Sequence, residues 1–187
     1  MNINASGIIL FGAPGVGDTT LGRALAEQLA LPHFDLDDYH WRWDTEIPYT
    51  IFRLREERAE HIMRDIAGHL HFVMSGSMWS IRERFNSLFE LAVFITAPAE
   101  VRAERLRARE LARWGSRVLP GGDIYQAHDH FHRDYFTIAR QYEAGGQPCL
   151  AQHEQWAAEL PCPVLRVDGT KPVAENAVRI AQQWRQP

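Results

Sequence analysis

Apolar positions along this chain follow two rhythms. Residues 8–11, Ile-Ile-Leu-Phe, are apolar without a break, which suits a strand covered on both faces. Short runs at 33–36, 71–74, 91–96 and 163–167 predict four more strands. Between them the spacing changes to three and four. Leu21, Leu25 and Leu29 recur at helical spacing with Ala24 and Ala26 between them, predicting a helix over 19–30 that Pro32 stops. A second helix is predicted over 51–68, with Phe52, Ala59, Met63 and Ile66 on one face. Pro98 opens a long arginine-rich helix at its first turn, and Pro120-Gly121-Gly122 breaks the chain into a loop. Further helices are predicted over 123–144, 148–159 and 172–184.

Strands that alternate with helices imply crossover units and a parallel sheet. The expectation is an α/β fold of three layers, a five-stranded parallel sheet with helices on both faces. No repeat, low-complexity tract or linker divides residues 1–187, so a single domain is expected. Ligands of such folds sit at the carboxyl ends of the strands. A Gly-rich turn, an acidic cluster, Ser75-Gly76-Ser77 and Asp168-Gly169-Thr170 all fall there.

Composition narrows the choice of partner. The net charge is −4 and no polybasic tract occurs, so nucleic acid and anionic lipid are not expected partners. Cys149 and Cys162 match no metal spacing and read as ordinary reduced thiols. The N-terminus lacks a basic segment, and the run at 8–11 is too short for a signal core or a membrane span. A cytoplasmic protein is expected. Lys171 is the only lysine, so nearly all positive charge is arginine.

The strongest chemical signal is Gly12-Ala13-Pro14-Gly15-Val16-Gly17-Asp18-Thr19. It matches the G-x-x-x-x-G-K-[ST] phosphate loop at every fixed position but one, directly after a buried strand and opening an amphipathic helix. Glycines let backbone N–H groups curl around an anion, and the helix N-terminus adds its positive dipole end. Thr19 would supply the hydroxyl that holds Mg²⁺, with ATP as co-substrate. A dinucleotide fingerprint starting at Gly15 would need glycine where Thr20 stands. The departure is Asp18 in the lysine position. A carboxylate there repels polyphosphate by a few kcal/mol at about 4 Å near a protein surface. Three readings stay open: an arginine supplies the missing charge, the site binds without catalysing, or the residue is an introduced substitution.

The segment from Gly12 to Gly22 resembles the opening of adenylate-kinase-related and shikimate-kinase-like P-loop proteins. The likeness continues through the acidic end of the second strand at Asp35 to Asp38, the turn at Ser75 to Ser77, and the arginine helix followed by Gly121-Gly122. Within that superfamily the chain is most similar to a bacterial group of AAA-type ATPases whose phosphate loop often lacks the lysine. The resemblance implies a nucleotide-kinase-like lid near 113–130 and an acceptor flap near 38–68. It also places the loop of Gly169 and Lys171 along the adenine. Gly12, Gly15, Val16, Gly17, Asp18, Thr19 and Thr20 complete the implied nucleotide site. The implied activity is ATP-dependent phosphoryl transfer to a small molecule or nucleotide. The alternative is a non-catalytic nucleotide-binding or sensor protein.

Other residues carry weaker signals. Asp35 and Asp37 alternate on one face of the predicted strand and could orient or deprotonate an acceptor; the plain alternative is a solvated acidic turn. Tyr39, Trp41 and Trp43 could stack on a planar acceptor or simply pack a flap. Arg55, among Arg53 and Arg58, is the candidate grip on an acceptor phosphate or carboxylate, and Ser75 joins the acceptor set. Arg102, Arg105, Arg109 and Arg113 form one helical stripe, with Val101, Ala108, Leu111 and Ala112 expected on the buried side. That stripe is either a solvated face or a lid whose Arg105 and Arg109 close on the transferring phosphoryl group, with Arg117 at its tip. His128, His130 and His132 would diverge on a helix, which weakens a metal reading.

Overall fold

Strand β1 (Ser6–Gly12) is buried at every position after the first. It pairs in parallel with β3 (His71–Ser75) on one side and β4 (Phe89–Thr96) on the other. In the computed structural model, which describes residues 4–45, 51–127 and 134–184, β2 (His33–Asp35) lies outside β3 and β5 (Val164–Asp168) outside β4. The result is a five-stranded parallel sheet of order β2-β3-β1-β4-β5, as the alternating pattern predicts.

Successive side chains of β1 point to opposite faces, so its unbroken apolar run feeds two cores. Ile9 and Phe11 pack with Phe72, Met74 and Phe94 beneath α3 (Arg55–Ile66) and α7 (Leu150–Glu159). Ile8 and Leu10 pack with Val73, Val93 and Ile95 beneath α1 (Asp18–Leu29) and α8 (Val173–Trp184). Full burial of each such side chain stabilises the fold by about 1.5–3 kcal/mol. The strand that carries the Gly-rich turn is therefore the most firmly anchored element of the sheet.

Several predicted boundaries move for local reasons. The helix predicted over 51–68 starts only at Arg55, because Leu54 has extended backbone. Phe52 does not lie on that helix; it forms an antiparallel bridge with Trp41, their rings stacked 4.1 Å apart. Ile62 joins Ala59 and Ile66 on the buried face instead. Asp35 and Asp37 do not share a strand face either. Asp35 caps a short helix, α2 (Leu36–His40), to which Asp37 belongs. The helix predicted over 123–144 is two, α5 (Asp123–Ala127) and α6 (Tyr135–Gln141). His128, His130 and His132, with part of the expected lid, lie outside the described residues.

The largest correction concerns α4 (Ala99–Trp114). Its buried residues are Arg102, Ala103, Leu106 and Glu110, while Ala108 and Ala112 are exposed and Val101 and Leu111 half-buried. The first half of the arginine stripe, Arg102 and Arg105, therefore turns toward the protein, while Arg109 and Arg113 are exposed beside the cleft. Alanines bury little apolar area, and Arg102 finds internal partners for its whole guanidinium. It donates to the carbonyls of Ala97 and Ala139, both at 3.0 Å, and pairs with Glu143. Cys149 is buried and Cys162 half-buried, both as free thiols. Among the described residues no helix is long and apolar enough to cross a membrane.

Candidate functional site: a phosphate loop between two chambers

The loop from Gly12 to Gly17 leaves β1 under close constraint. A Cβ at Gly12 would stand 2.4 Å from the Ile95 carbonyl oxygen. Gly15 has φ +82, and a Cβ there would meet the Arg102 carbonyl oxygen at 2.7 Å. The amide of Val16 closes the turn on the Ala13 carbonyl at 3.0 Å. Gly17 is the N-cap of α1 and offers no side-chain cap. The first turn of α1 thus borders the cleft without a side-chain cap from Gly17, an arrangement suited to an anion.

Two cavities meet at this loop. The first, about 540 Å³, runs from Gly17 and Thr20 to Gly169 and Lys171 at the loop after β5. The second, about 810 Å³, lies on the other side, between the bridge of Trp41 and Phe52, the turn at Gly76 and Ser77, and Tyr142. Asp18, Thr19, Asp35, Asp37 and Arg109 line both. The pair forms one cleft with a junction at the head of α1, and most of the predicted site residues gather there.

Asp18 occupies the junction. Burial pushes its carboxyl up to about 7, with the nearby charges of Asp37 and Asp35 adding to the rise and the Thr19 amide opposing it. Near neutral pH a large fraction is therefore uncharged, and an uncharged carboxyl donates a hydrogen bond where a carboxylate would repel. Asp37 is also shifted upward, first by the protein crowding it and then by Asp35, while Arg109 and Arg113 pull it back. Asp35 accepts the Asp37 amide at 3.2 Å and faces Arg23 at 3.6 Å.

The arginines divide the work. Arg105 donates to the Val16 carbonyl at 3.0 Å and to the Gly169 carbonyl at 2.9 Å. It braces the phosphate loop against the loop after β5, which is itself held by Asn176 donating to the Asp168 carbonyl at 2.8 Å. Arg109 pairs with Glu110 at 2.9 Å, is 49% exposed, and faces both chambers. Arg113 lines the first chamber. Lys171 also lines it and pairs with Glu175 at 3.1 Å.

Other predicted residues lie elsewhere. Ser75 is fully buried, and its Oγ hydrogen-bonds His33 Nε2 at 2.9 Å, so the side chain is occupied inside the sheet. Arg55 lines a separate cleft with Trp79 and Arg82, because the late start of α3 turns it away from the loop. Arg58 is the buried arginine of that helix, hydrogen-bonded to His40 and Ser80. Arg117 pairs with Asp123 on the surface. Sequence reasoning did not single out His40 and Tyr142, which line the larger chamber, or His153 beside Tyr142. Ser77 was visible as part of a turn at a strand end; a histidine within the pattern of α7 gave no signal.

A Gly-rich loop after a central parallel strand, opening a helix between two chambers, defines a P-loop fold. Residues 8–113 match the model of the AAA domain family, and the chain belongs to it. It is 34% identical over 175 residues to the uncharacterized protein YqaC of Bacillus subtilis (strain 168), covering 92% of this chain and 94% of that one. A shikimate kinase of Bacteroides fragilis (strain YCH46) is 41% identical over 59 residues, 32% of this chain and 31% of that protein. Two solved structures share the fold. One is a gluconokinase from Sinorhizobium meliloti 1021 (TM-score 0.54, 21% identity, 98% of this chain and 97% of that chain). The other is shikimate kinase from Acinetobacter baumannii in complex with shikimate (TM-score 0.57, 16% identity, 97% of this chain and 93% of that chain).

Proposed function

We propose that this protein transfers the γ-phosphoryl group of ATP to a hydroxyl of a small molecule. The observation that carries the reading is the junction of two chambers at the phosphate loop, with carboxylates from one side and arginines from the other. ATP would occupy the smaller chamber, its phosphates on the amides at the head of α1 and its base toward Gly169 and Lys171. The acceptor would occupy the larger chamber, under the flap that carries Trp41 and Phe52. The same reading puts the protein in the cytoplasm, where ATP is supplied.

The residues fit Mg²⁺ and polyphosphate in part. The cradle at Gly12 and Gly15 is a space that a Cβ would fill, and Thr19 brings a hydroxyl to the head of α1. Among the described residues no group of three or more His, Cys, Asp or Glu is arranged to hold a metal ion. Thr19 would therefore hold the ion together with the nucleotide, and when bound it neutralises charge on the β- and γ-phosphates. Asp18 opposes the nucleotide only in its ionised form. Arg109 and Arg113 supply the positive charge that the motif's lysine would have brought.

In the transfer, the acceptor oxygen forms a bond to the γ-phosphorus while the bond to the β,γ-bridging oxygen breaks and ADP leaves. The hydroxyl proton passes to Asp37, whose raised pKa suits a general base, or to Asp35 beside it. Calorimetric titration with ATP, with and without Mg²⁺, tests the reading on the natural chain and on Asp18→Lys. Micromolar binding by the natural chain is expected, and ADP release with an acceptor follows. Absence of binding in both proteins would remove the nucleotide reading, and binding without ADP release would leave a nucleotide-binding protein that transfers nothing.

A further inference from the structure

Ser77 lies one residue beyond the Gly76 turn that ends β3, on the wall of the larger chamber. Its Oγ is 2.9 Å from Nε2 of His153, and Nδ1 of the same ring is 2.9 Å from the hydroxyl of Tyr142. His153 is fully buried on α7, edge-on to Phe11 at 5.3 Å and to Phe94 at 6.1 Å. Tyr142 is 5% exposed and lines the same chamber as Ser77. Three side chains from three separate segments thus form a relay that reaches the cavity at Ser77.

The proton count of this relay is constrained. The apolar surroundings push His153 down to about 4, so its ring is neutral and carries one proton. If that proton were on Nδ1, the Tyr142 oxygen would accept it and the tyrosine O–H would point into buried space. Among the described residues Tyr142 has no second acceptor. If the proton is on Nε2, Tyr142 donates to Nδ1 and the ring donates to Ser77 Oγ, and both buried groups are satisfied. The hydroxyl proton of Ser77 then has no partner within the described residues and faces the chamber. An apolar ring at position 153 would pack on Phe11, Phe94 and Trp156 without needing partners. The polar ring serves Ser77, which faces the chamber.

We propose that Ser77 is a specificity-determining hydrogen-bond donor to the phosphate acceptor, with His153 and Tyr142 as positioning residues that fix its direction. This rests on the phosphoryl-transfer reading for the nature of the ligand. The acceptor it selects carries an oxygen at that point: a hydroxyl, a carbonyl or a carboxylate. A compound lacking that oxygen would leave the Ser77 donor unpaired, and such a mismatch discriminates more strongly than a missing methylene.

Nitrogen-15 NMR of the His153 ring in the full chain, without ligand at pH 7, reads the tautomer directly. Protonated Nε2 and bare Nδ1 are expected, with the Nε2 signal displaced in Ser77→Ala and the tautomer mixed in Tyr142→Phe. A ring protonated at Nδ1 overturns the proposal, because Ser77 would then donate inward. The acceptor side is read by ADP release from Mg·ATP with a panel of sugars, polyols and nucleosides. Ser77→Ala and His153→Phe should each raise the acceptor KM about tenfold with the ATP KM unchanged, and Ser77→Thr should restore it. An acceptor KM in Ser77→Ala equal to that of the natural chain also overturns the proposal. If the natural chain releases no ADP with any compound, the phosphoryl-transfer reading falls, and the tautomer still decides which way Ser77 points.

Discussion

Gly15 shows how narrow the tolerance of the phosphate loop is at a single position. Its φ of +82 lies where side chains are strained, and the atom a Cβ would strike is backbone, the Arg102 carbonyl oxygen at 2.7 Å. Gly15→Ala should therefore destabilise the fold by about 1–3 kcal/mol and weaken ATP binding more than tenfold. Thermal unfolding and calorimetry read the two effects separately. Such a position is legible in sequence because the backbone requirement admits few residue types. Side-chain roles near it were less so. Ser75 and Ser77 flank the same glycine, yet one is sealed within the sheet and the other lines a chamber. Which of two neighbours faces inward depends on where the strand ends, and spacing alone could not place that end. Asp35 and Asp37 were singled out by strand alternation, yet they converge on the junction through a helix cap, since β2 ends at Asp35, immediately before the short helix.

At the scale of elements, α4 does two jobs with one stripe of arginines. Arg102 ties the helix to α6 from within, and Arg105 ties the phosphate loop to the loop after β5. The spacing of three and four made the stripe visible, but a helix pattern cannot tell a solvated charged face from one whose charges find partners inside. Two of the four apolar residues that seemed to mark the buried side, Ala108 and Ala112, are alanines, whose small area does not decide orientation. The two arginines should separate experimentally. Arg102→Met removes donors from two carbonyls and leaves Glu143 without its partner, so a loss of about 2–4 kcal/mol in denaturant unfolding is expected. Arg105→Ala should change stability by less than about 1 kcal/mol, since its carbonyl partners border open cleft, and should weaken ATP binding about tenfold. Equal losses of stability in the two variants would contradict this division.

For the whole molecule, desolvated titratable groups of opposite sign set the response to acid. His40 and His153 are each pushed down from 6.5 to about 4, in both cases chiefly by burial. Between those values the unfolded chain binds protons that the folded chain does not, so stability falls as pH drops from about 6.5 toward 4, by up to about 3 kcal/mol per histidine. Asp18 works the other way. Its carboxyl rises from 3.8 to about 7, so the folded chain binds the extra proton and stability grows as pH falls through about 7. Asp37, also raised, adds in the same sense. The surface carboxylates held low by arginine, such as Asp44 and Asp123 at about 2, lose their contribution only below this window. The natural chain should therefore lose stability only moderately between pH 6.5 and 4, because the carboxyls at the junction offset part of the histidine effect. Asp18→Asn removes part of that offset. It should be more stable than the natural chain near pH 8, where the crowded carboxylate is ionised, and should fall more steeply on acidification. His153→Phe should fall less steeply. Urea unfolding at half-unit steps from pH 4 to 8 reads all three slopes, and an Asp18→Asn curve parallel to the natural one would show that Asp18 ionises in the folded protein as it does in the unfolded chain.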